Sequence, residues 1–219
     1  LYKGISFIGL IPARKGSKRL PGKNLLKIKG KTLLELAIDS GKTSKLLDEV
    51  IVSTDSDEMR DLALELGAQA PRLRASQLSS DEATSVDVAI DALGWVSRSY
   101  DYLVLLQPTS PFRVGTDIDE AISKMIDGGY NSAVSVSEPL NSPYHMYYKR
   151  GEGIQPILGK ASQKEEIYCL NGAIFVIKVS ELLSKKSFGI DQACMFNMEP
   201  SRSIDIDKPF DFELATRLA

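Results

Sequence analysis

The chain has 219 residues, 43% of them hydrophobic and 26% charged, a balance that predicts one globular core rather than a disordered segment. A formal net charge of -2 excludes a general nucleic-acid binder, which spreads cations over a whole face. No apolar run approaches the ~18 residues that a membrane span requires.

Residues 5–11 (Ile-Ser-Phe-Ile-Gly-Leu-Ile) form the first predicted strand, which breaks into Pro12-Ala13-Arg14-Lys15-Gly16-Ser17-Lys18-Arg19-Leu20-Pro21-Gly22-Lys23-Asn24. Residues 1–34 hold nine Lys or Arg and no Asp or Glu, so the positive charge is local. A buried strand feeding a cationic loop punctuated by Gly and Pro is the local design of a polyphosphate site. It is not a Walker A loop: five residues rather than four separate Gly16 from Gly22, and Asn24 stands where Ser or Thr is required. Arg14 is suited to grip a phosphate through two parallel bonds, and Lys23 to neutralise a phosphorus under attack or a departing pyrophosphate. The plain alternative is a solvated basic turn.

A helix is predicted at 32–43, a strand at 50–54 running into Asp55, and a helix at 57–66. Arg72-Leu73-Arg74 then precedes Ser79-Ser80-Asp81-Glu82-Ala83-Thr84-Ser85, where Ser79 and Glu82 have the spacing of a capping box. A helix at 84–96 follows, and its N-terminus beside Arg74 is also an anion or ribose site. The next strand, 102–107, ends in Gln107-Pro108-Thr109-Ser110-Pro111-Phe112-Arg113, an amide and hydroxyls placed to read a base or sugar. A helix at 116–127 and a strand at 132–136 complete the regular part.

Residues 138–164, rich in Pro, Tyr and Gly, read as an inserted β-arm serving as lid or dimer contact. Regular structure resumes with a strand at 171–177. Ser203-Ile204-Asp205-Ile206-Asp207 alternates, which predicts a short strand with both carboxylates on one face. Such a pair repels unless a cation intervenes, and with a polyphosphate opposite it reads as hard oxygen ligands for Mg²⁺; a solvated edge strand is the alternative. Pro209 opens a closing helix to 219. His145, Cys169 and Cys194 have no companion pattern for a metal or a nucleophile, and the two cysteines predict reduced thiols and a cytoplasmic location. Apolar strands alternating with amphipathic helices predict a parallel sheet covered on both faces, with ligands at the strands' carboxyl ends.

The loop at 10–24, Val52-Ser53-Thr54-Asp55, Leu106-Gln107-Pro108-Thr109-Ser110-Pro111, Asn171-Gly172-Ala173-Ile174 and Ser203–Asp207 together resemble, in order, the motifs of the acylneuraminate cytidylyltransferases, or CMP-sialic acid synthetases. The resemblance spans nearly the whole chain. It implies an α/β fold with a Rossmann-like, mostly parallel sheet flanked by helices. It also implies one nucleotidyltransferase domain over 1–219, carrying a small dimerisation arm near 138–164, and a homodimer with no nucleic-acid or membrane partner. The implied reaction joins CTP to a nine-carbon sugar acid and releases pyrophosphate, the anomeric hydroxyl attacking the α-phosphorus directly. Carried over by motif, Ala13, Arg14, Lys23, Asn24, Arg74, Ser85 and Gln107 bind the nucleotide. Gln107, Gln163 and Asn171 fall on the sugar side, Asp205 and Asp207 hold Mg²⁺, and Arg14, Lys23 and Asp207 carry the chemistry.

One stretch departs from the pattern. Ala161-Ser162-Gln163-Lys164-Glu165-Glu166 stands where neuraminate-type members carry Arg-Gln or Arg-Arg-Gln-Asp, and a lysine is a point charge rather than a fork. The expected acceptor is N-acylneuraminate, with legionaminate or another nonulosonate as the alternative. A nucleotide-binding module without catalysis is the alternative from a different class. Lys23, Asp205 and Asp207 argue against it, since a pure binder has less need of groups that stabilise a transition state. A basic-loop RNA-binding protein is a third, with little else behind it.

Overall fold

A computed structural model describes residues 1–158 and 166–219. The first half contains β1 (Phe7–Pro12), the short β2 (Lys27–Ile28) and β3 (Lys31–Thr32), α1 (Leu33–Thr43), β4 (Glu49–Ser53), α2 (Asp57–Glu65), α3 (Ser85–Leu93) and β5 (Tyr102–Leu106). The second contains α4 (Gly115–Asp127), β6 (Ser132–Ser137), β7 (Tyr147–Arg150), β8 (Gly153–Pro156), β9 (Cys169–Lys178), α5 (Val179–Lys185), β10 (Cys194–Asn197) and α6 (Pro209–Leu218).

Six strands form one sheet in the order β10-β6-β9-β5-β1-β4. β1 lies parallel to β4 and β5, and β6 parallel to β10; β9 alone runs against its neighbours. The period of two along β5 decides which residue meets which layer. Tyr102, Val104 and Leu106 pack with residues of α1, α2 and α4, whereas Leu103 and Leu105 pack with residues of α3 and α5. Because both faces are covered, the strand is an unbroken apolar run, and burying each such side chain contributes about 1.5–3 kcal/mol. The Rossmann-like, mostly parallel sheet expected from the sequence is the fold observed.

A third, smaller core lies to one side. Ile28, Leu33, Ile206 and Ala215 are buried together, with Leu20, Ile204 and Phe212 packed against them. It joins the loop after β1 to the segment before α6.

Three local expectations change. Residues 203–207 are not a strand: Ile206 N donates to Thr109 O at 2.9 Å, and the alternation arises because Ile204 and Ile206 face the small core. The capping box that opens α3 is Thr84 with Asp87, not Ser79 with Glu82, since Ser76–Ser79 is a separate 3-10 turn. The strand expected at 171–177 is longer and carries a wide bulge. Val134 pairs with Phe175 and Val136 with Leu170, so residues 171–174 oppose Ser135 alone. β10, α5 and the β2–β3 ribbon were not anticipated. Within the proposed arm the structure has the exposed β7–β8 hairpin.

Candidate active site

A cleft of about 370 Å³ opens at the carboxyl ends of β1 and β5, the edge where parallel sheets bind ligands. One wall is the cationic loop, and backbone ties fix its path. Ala13 N donates to Ser53 O at 2.9 Å, and Lys15 N to the Asp55 carboxylate at 2.7 Å. The buried Asn24 closes the loop on itself, its amide Nδ2 donating to Arg14 O at 2.9 Å. The opposite wall is Arg74, Ser80, Asp81 and Ser85, the last being the first residue of α3. Gln107 and Thr109 contribute from the end of β5, and Asp207 from the segment before α6.

The charges are organised in two bridges. Asp81 receives Arg14 at 2.8 Å and Lys18 at 2.5 Å. Asp207 receives Lys23 at 3.1 Å and Arg19 at 3.0 Å, and Lys23 also donates to Ile206 O at 2.9 Å. Hydrogen bonds from Lys18 and then Arg14 hold the Asp81 carboxyl below the usual carboxylate range. Arg74 is buried, its Nε donating to Ser79 Oγ at 3.2 Å and its backbone N to Thr54 O at 2.7 Å. Burial pulls its pKa down, the charge of Asp55 opposes that, and the charge of Arg14 adds to it. Arg14, Arg19, Lys23 and Arg74 thus line one cleft, with Lys18 beside Arg14 on Asp81, and the carboxylates that hold Arg14, Lys18 and Arg19 are ones an anionic ligand can replace. This is a site for a polyanion.

Asp207's own position is set from α6, where the Asp211 carboxylate accepts from Asp207 N at 3.0 Å and Lys208 N at 2.7 Å. Asp205 lies beside it. Asp205 is an exposed residue, yet desolvation of its carboxyl by the surrounding protein raises its pKa; Thr109 lowers it by hydrogen bonding, and the charge of Asp207 raises it further.

Of the residues singled out in the sequence, Arg14, Lys23, Asn24, Arg74, Ser85, Gln107 and Asp207 line this one cleft. Ala13 is fully buried and serves through its backbone. Asn171 is buried beneath the site with its amide fully engaged. Its Oδ1 accepts from Ser135 Oγ at 2.6 Å and Ala173 N at 3.2 Å, and its Nδ2 donates to Ser203 Oγ at 3.0 Å. Gln163 lies outside the described residues. Arg19 and Asp81 were not singled out. Arg19 is one cation among several in its loop, and choosing it requires knowing which way the loop turns. Asp81 looked like part of a helix start.

The Asn171–Ile174 bulge brings backbone to the cleft. Gly172 adopts φ +73°, and a Cβ there would lie 3.3 Å from Gln107 Oε1 and 3.7 Å from Asp205 Oδ2. The left-handed backbone alone costs a non-glycine residue about 1–2 kcal/mol. Gly172→Ala is therefore expected to lower the melting temperature by about 2–8 °C and to reduce turnover by displacing Gln107. Thermal melts beside steady-state kinetics check both; an unchanged rate would remove Gly172 from the site.

The fold agrees with that of known proteins. A family model described as "Cytidylyltransferase" matches residues 8–218. The chain belongs to this family. This cytidylyltransferase is 36% identical over 224 residues to the CMP-N,N'-diacetyllegionaminic acid synthase of Legionella pneumophila, covering 96% of this chain and 95% of that protein. It is also 35% identical to an N-acylneuraminate cytidylyltransferase of Escherichia coli, over 95% of this chain but 51% of the relative, so it spans about half that protein. Among solved structures, a CMP:2-keto-3-deoxy-manno-octonic acid synthetase complexed with CTP superposes with a TM-score of 0.74 at 19% identity, covering 97% of this chain and 98% of the other. At that identity the likeness concerns the fold.

Proposed function

We propose that this enzyme transfers CMP from CTP to the anomeric hydroxyl of a nonulosonic acid, with N-acylneuraminate as the first acceptor. The observation that carries the reading is the meeting of Lys23 and Asp207, 184 positions apart, at 3.1 Å in a cleft that also holds Arg14, Arg74 and Gln107. The anomeric oxygen forms a bond to the α-phosphorus, the bond from that phosphorus to pyrophosphate breaks, and the hydroxyl proton passes to solvent. Arg14 and Lys23 neutralise charge on the transferring and leaving groups. Asn24 keeps the Arg14 backbone in place, and Arg74 adds a cation already desolvated by the protein. Ser85 and Gln107 orient the nucleotide, Gln107 on the side that faces the sugar.

The donor set suits a divalent cation. Asp205 and Asp207 offer hard carboxylate oxygens; desolvation is the first cause that raises the Asp205 pKa and the charge of Asp207 a further one, and an added positive charge opposes both. Two carboxylates are donors enough for Mg²⁺, an ion that takes its remaining ligands from phosphate and water. When bound, Mg²⁺ supplies charge neutralisation at the phosphates.

A second acceptor, N,N'-diacetyllegionaminate, is favoured by the relative of that name, which matches this chain nearly end to end. We further assign the chain as one domain with its arm at 138–164 and as a homodimer formed through that arm. The half-exposed Tyr147 and Tyr148 and the exposed Ile154 support this role. A cytoplasmic location accords with two free cysteines.

Pyrophosphate release, measured with CTP against ATP, GTP and UTP and with a panel of sugar acids, tests the proposal. CTP with N-acetylneuraminate is expected to give the highest kcat/KM. Preference for N,N'-diacetyllegionaminate would select the second reading, and no turnover with any nonulosonate would overturn both.

A further inference from the structure

We propose that Arg113 is a positioning residue that locks the end of β5 to the bulge of β9, so that Gln107 and Gly172 present one fixed surface to the acceptor sugar. The inference rests on the reading of the cleft as a CMP-transfer site.

Arg113 is buried, and its guanidinium joins three elements. Nη1 donates to Gln107 O at 3.0 Å and to Ala173 O at 2.8 Å, while Nε donates to Ser40 Oγ at 3.1 Å. Ser40 in turn donates to Ala37 O within α1 at 2.8 Å. Nη2 is buried with no partner among the described residues. Among the described residues no carboxylate pairs with Arg113: Asp117, whose charge reaches it, bonds instead to Arg202 at 2.8 Å and to Val114 N at 2.9 Å. Burial lowers the Arg113 pKa to about 9, which leaves it charged at neutral pH.

A buried cation with no carboxylate bonded to it carries a desolvation penalty, and a Leu or Met would fill the space without that penalty. Packing therefore does not account for the residue. What a guanidinium does here, and an apolar side chain cannot, is hold two carbonyls from different strands with one nitrogen. Both carbonyls adjoin the site. Gln107 lines the cleft, and Ala173 follows Gly172, whose backbone sits against the Gln107 and Asp205 side chains. A rigid support behind a binding side chain is what keeps that side chain in a productive geometry.

The test uses the full chain carrying Arg113→Lys, alone and with Gln107→Ala, in pyrophosphate-release assays with CTP and N-acetylneuraminate or N,N'-diacetyllegionaminate. Arg113→Lys is expected to raise the sugar-acid KM or lower kcat by about tenfold while the CTP KM moves less than about threefold. In the Gln107→Ala background the same change is expected to cost less than about threefold, because the residue it acts through is gone. Equal losses in both backgrounds would make Arg113 a general scaffold and overturn the proposal.

A second readout is independent of turnover. In ¹⁵N–¹H spectra, Arg113→Lys is expected to shift the Gln107 side-chain and Gly172 backbone resonances and to leave those of α2 in place. Unmoved resonances would overturn the proposal, and they decide it alone if the wild type turns over neither sugar acid. Should Arg113→Lys fail to fold, Ser40→Ala, which removes one anchor of the guanidinium, is expected to shift the same two resonances. Failure to do so counts against the proposal equally.

Discussion

Asp207→Asn is expected to reduce pyrophosphate release by about a thousandfold, the equivalent of about 4 kcal/mol of lost transition-state stabilisation. The amide keeps the shape of the side chain and leaves the backbone tie to Asp211 in place. What disappears is the negative charge that meets Lys23 and Arg19 and that, in the proposed reaction, holds the divalent cation. The loss of stability should be small, because partly exposed ion pairs contribute about 0–1 kcal/mol each. Without Asp207 the two cations are freed for phosphate, so CTP binding without metal is expected to be unchanged or tighter while kcat collapses. That split between affinity and rate is measured by calorimetry beside a Mg²⁺ titration of turnover. Near-normal kcat at ordinary Mg²⁺ concentrations would remove Asp207 from the chemistry.

Arg14→Ala is expected to lower kcat/KM for CTP by about a hundredfold or more, through weaker binding and a slower chemical step together. The loop should keep its path, since Asn24 holds the backbone carbonyl of residue 14 and not its side chain. Arg14→Lys is expected to recover only part of the loss, because an ammonium cannot grip phosphate through two parallel bonds. An unchanged kinetic profile in the alanine variant would show that Asp81, rather than a phosphate, is the true partner of this guanidinium.

The central sheet could be read from the sequence because β1 and β5 are covered on both faces, and double burial leaves an unbroken apolar run. The first wall of the cleft was equally legible, since Arg14, Lys23 and Asn24 sit in one short loop. The convergence of Arg74, Gln107 and Asp207 on that loop follows from sheet order, because all three trail the carboxyl ends of strands or precede a helix there. Other features depend on contacts that no local pattern encodes. The apolar composition of β9 is the same whichever way the strand runs. Ser203–Asp207 alternates like a strand, but the alternation reflects two isoleucines reaching a side core. Asn171 looked like a sugar-facing amide, and its saturation by Ser135, Ala173 and Ser203 depends on a bulge visible only once β6 and β9 are paired. Arg113 gave no signal, as its partners are carbonyls from distant segments.

The small core of Ile28, Leu33, Ile206 and Ala215 gives the molecule a seam of its own. It anchors Leu20, between Arg19 and Lys23, on one side and Asp207 on the other, apart from the two large layers that stabilise the sheet. Warming that loosens α6 would pull the two halves of the catalytic centre apart while the strands stay paired. Heat would then silence the enzyme before it melts, and damage confined to the last helix would act as a loss of chemistry rather than of structure.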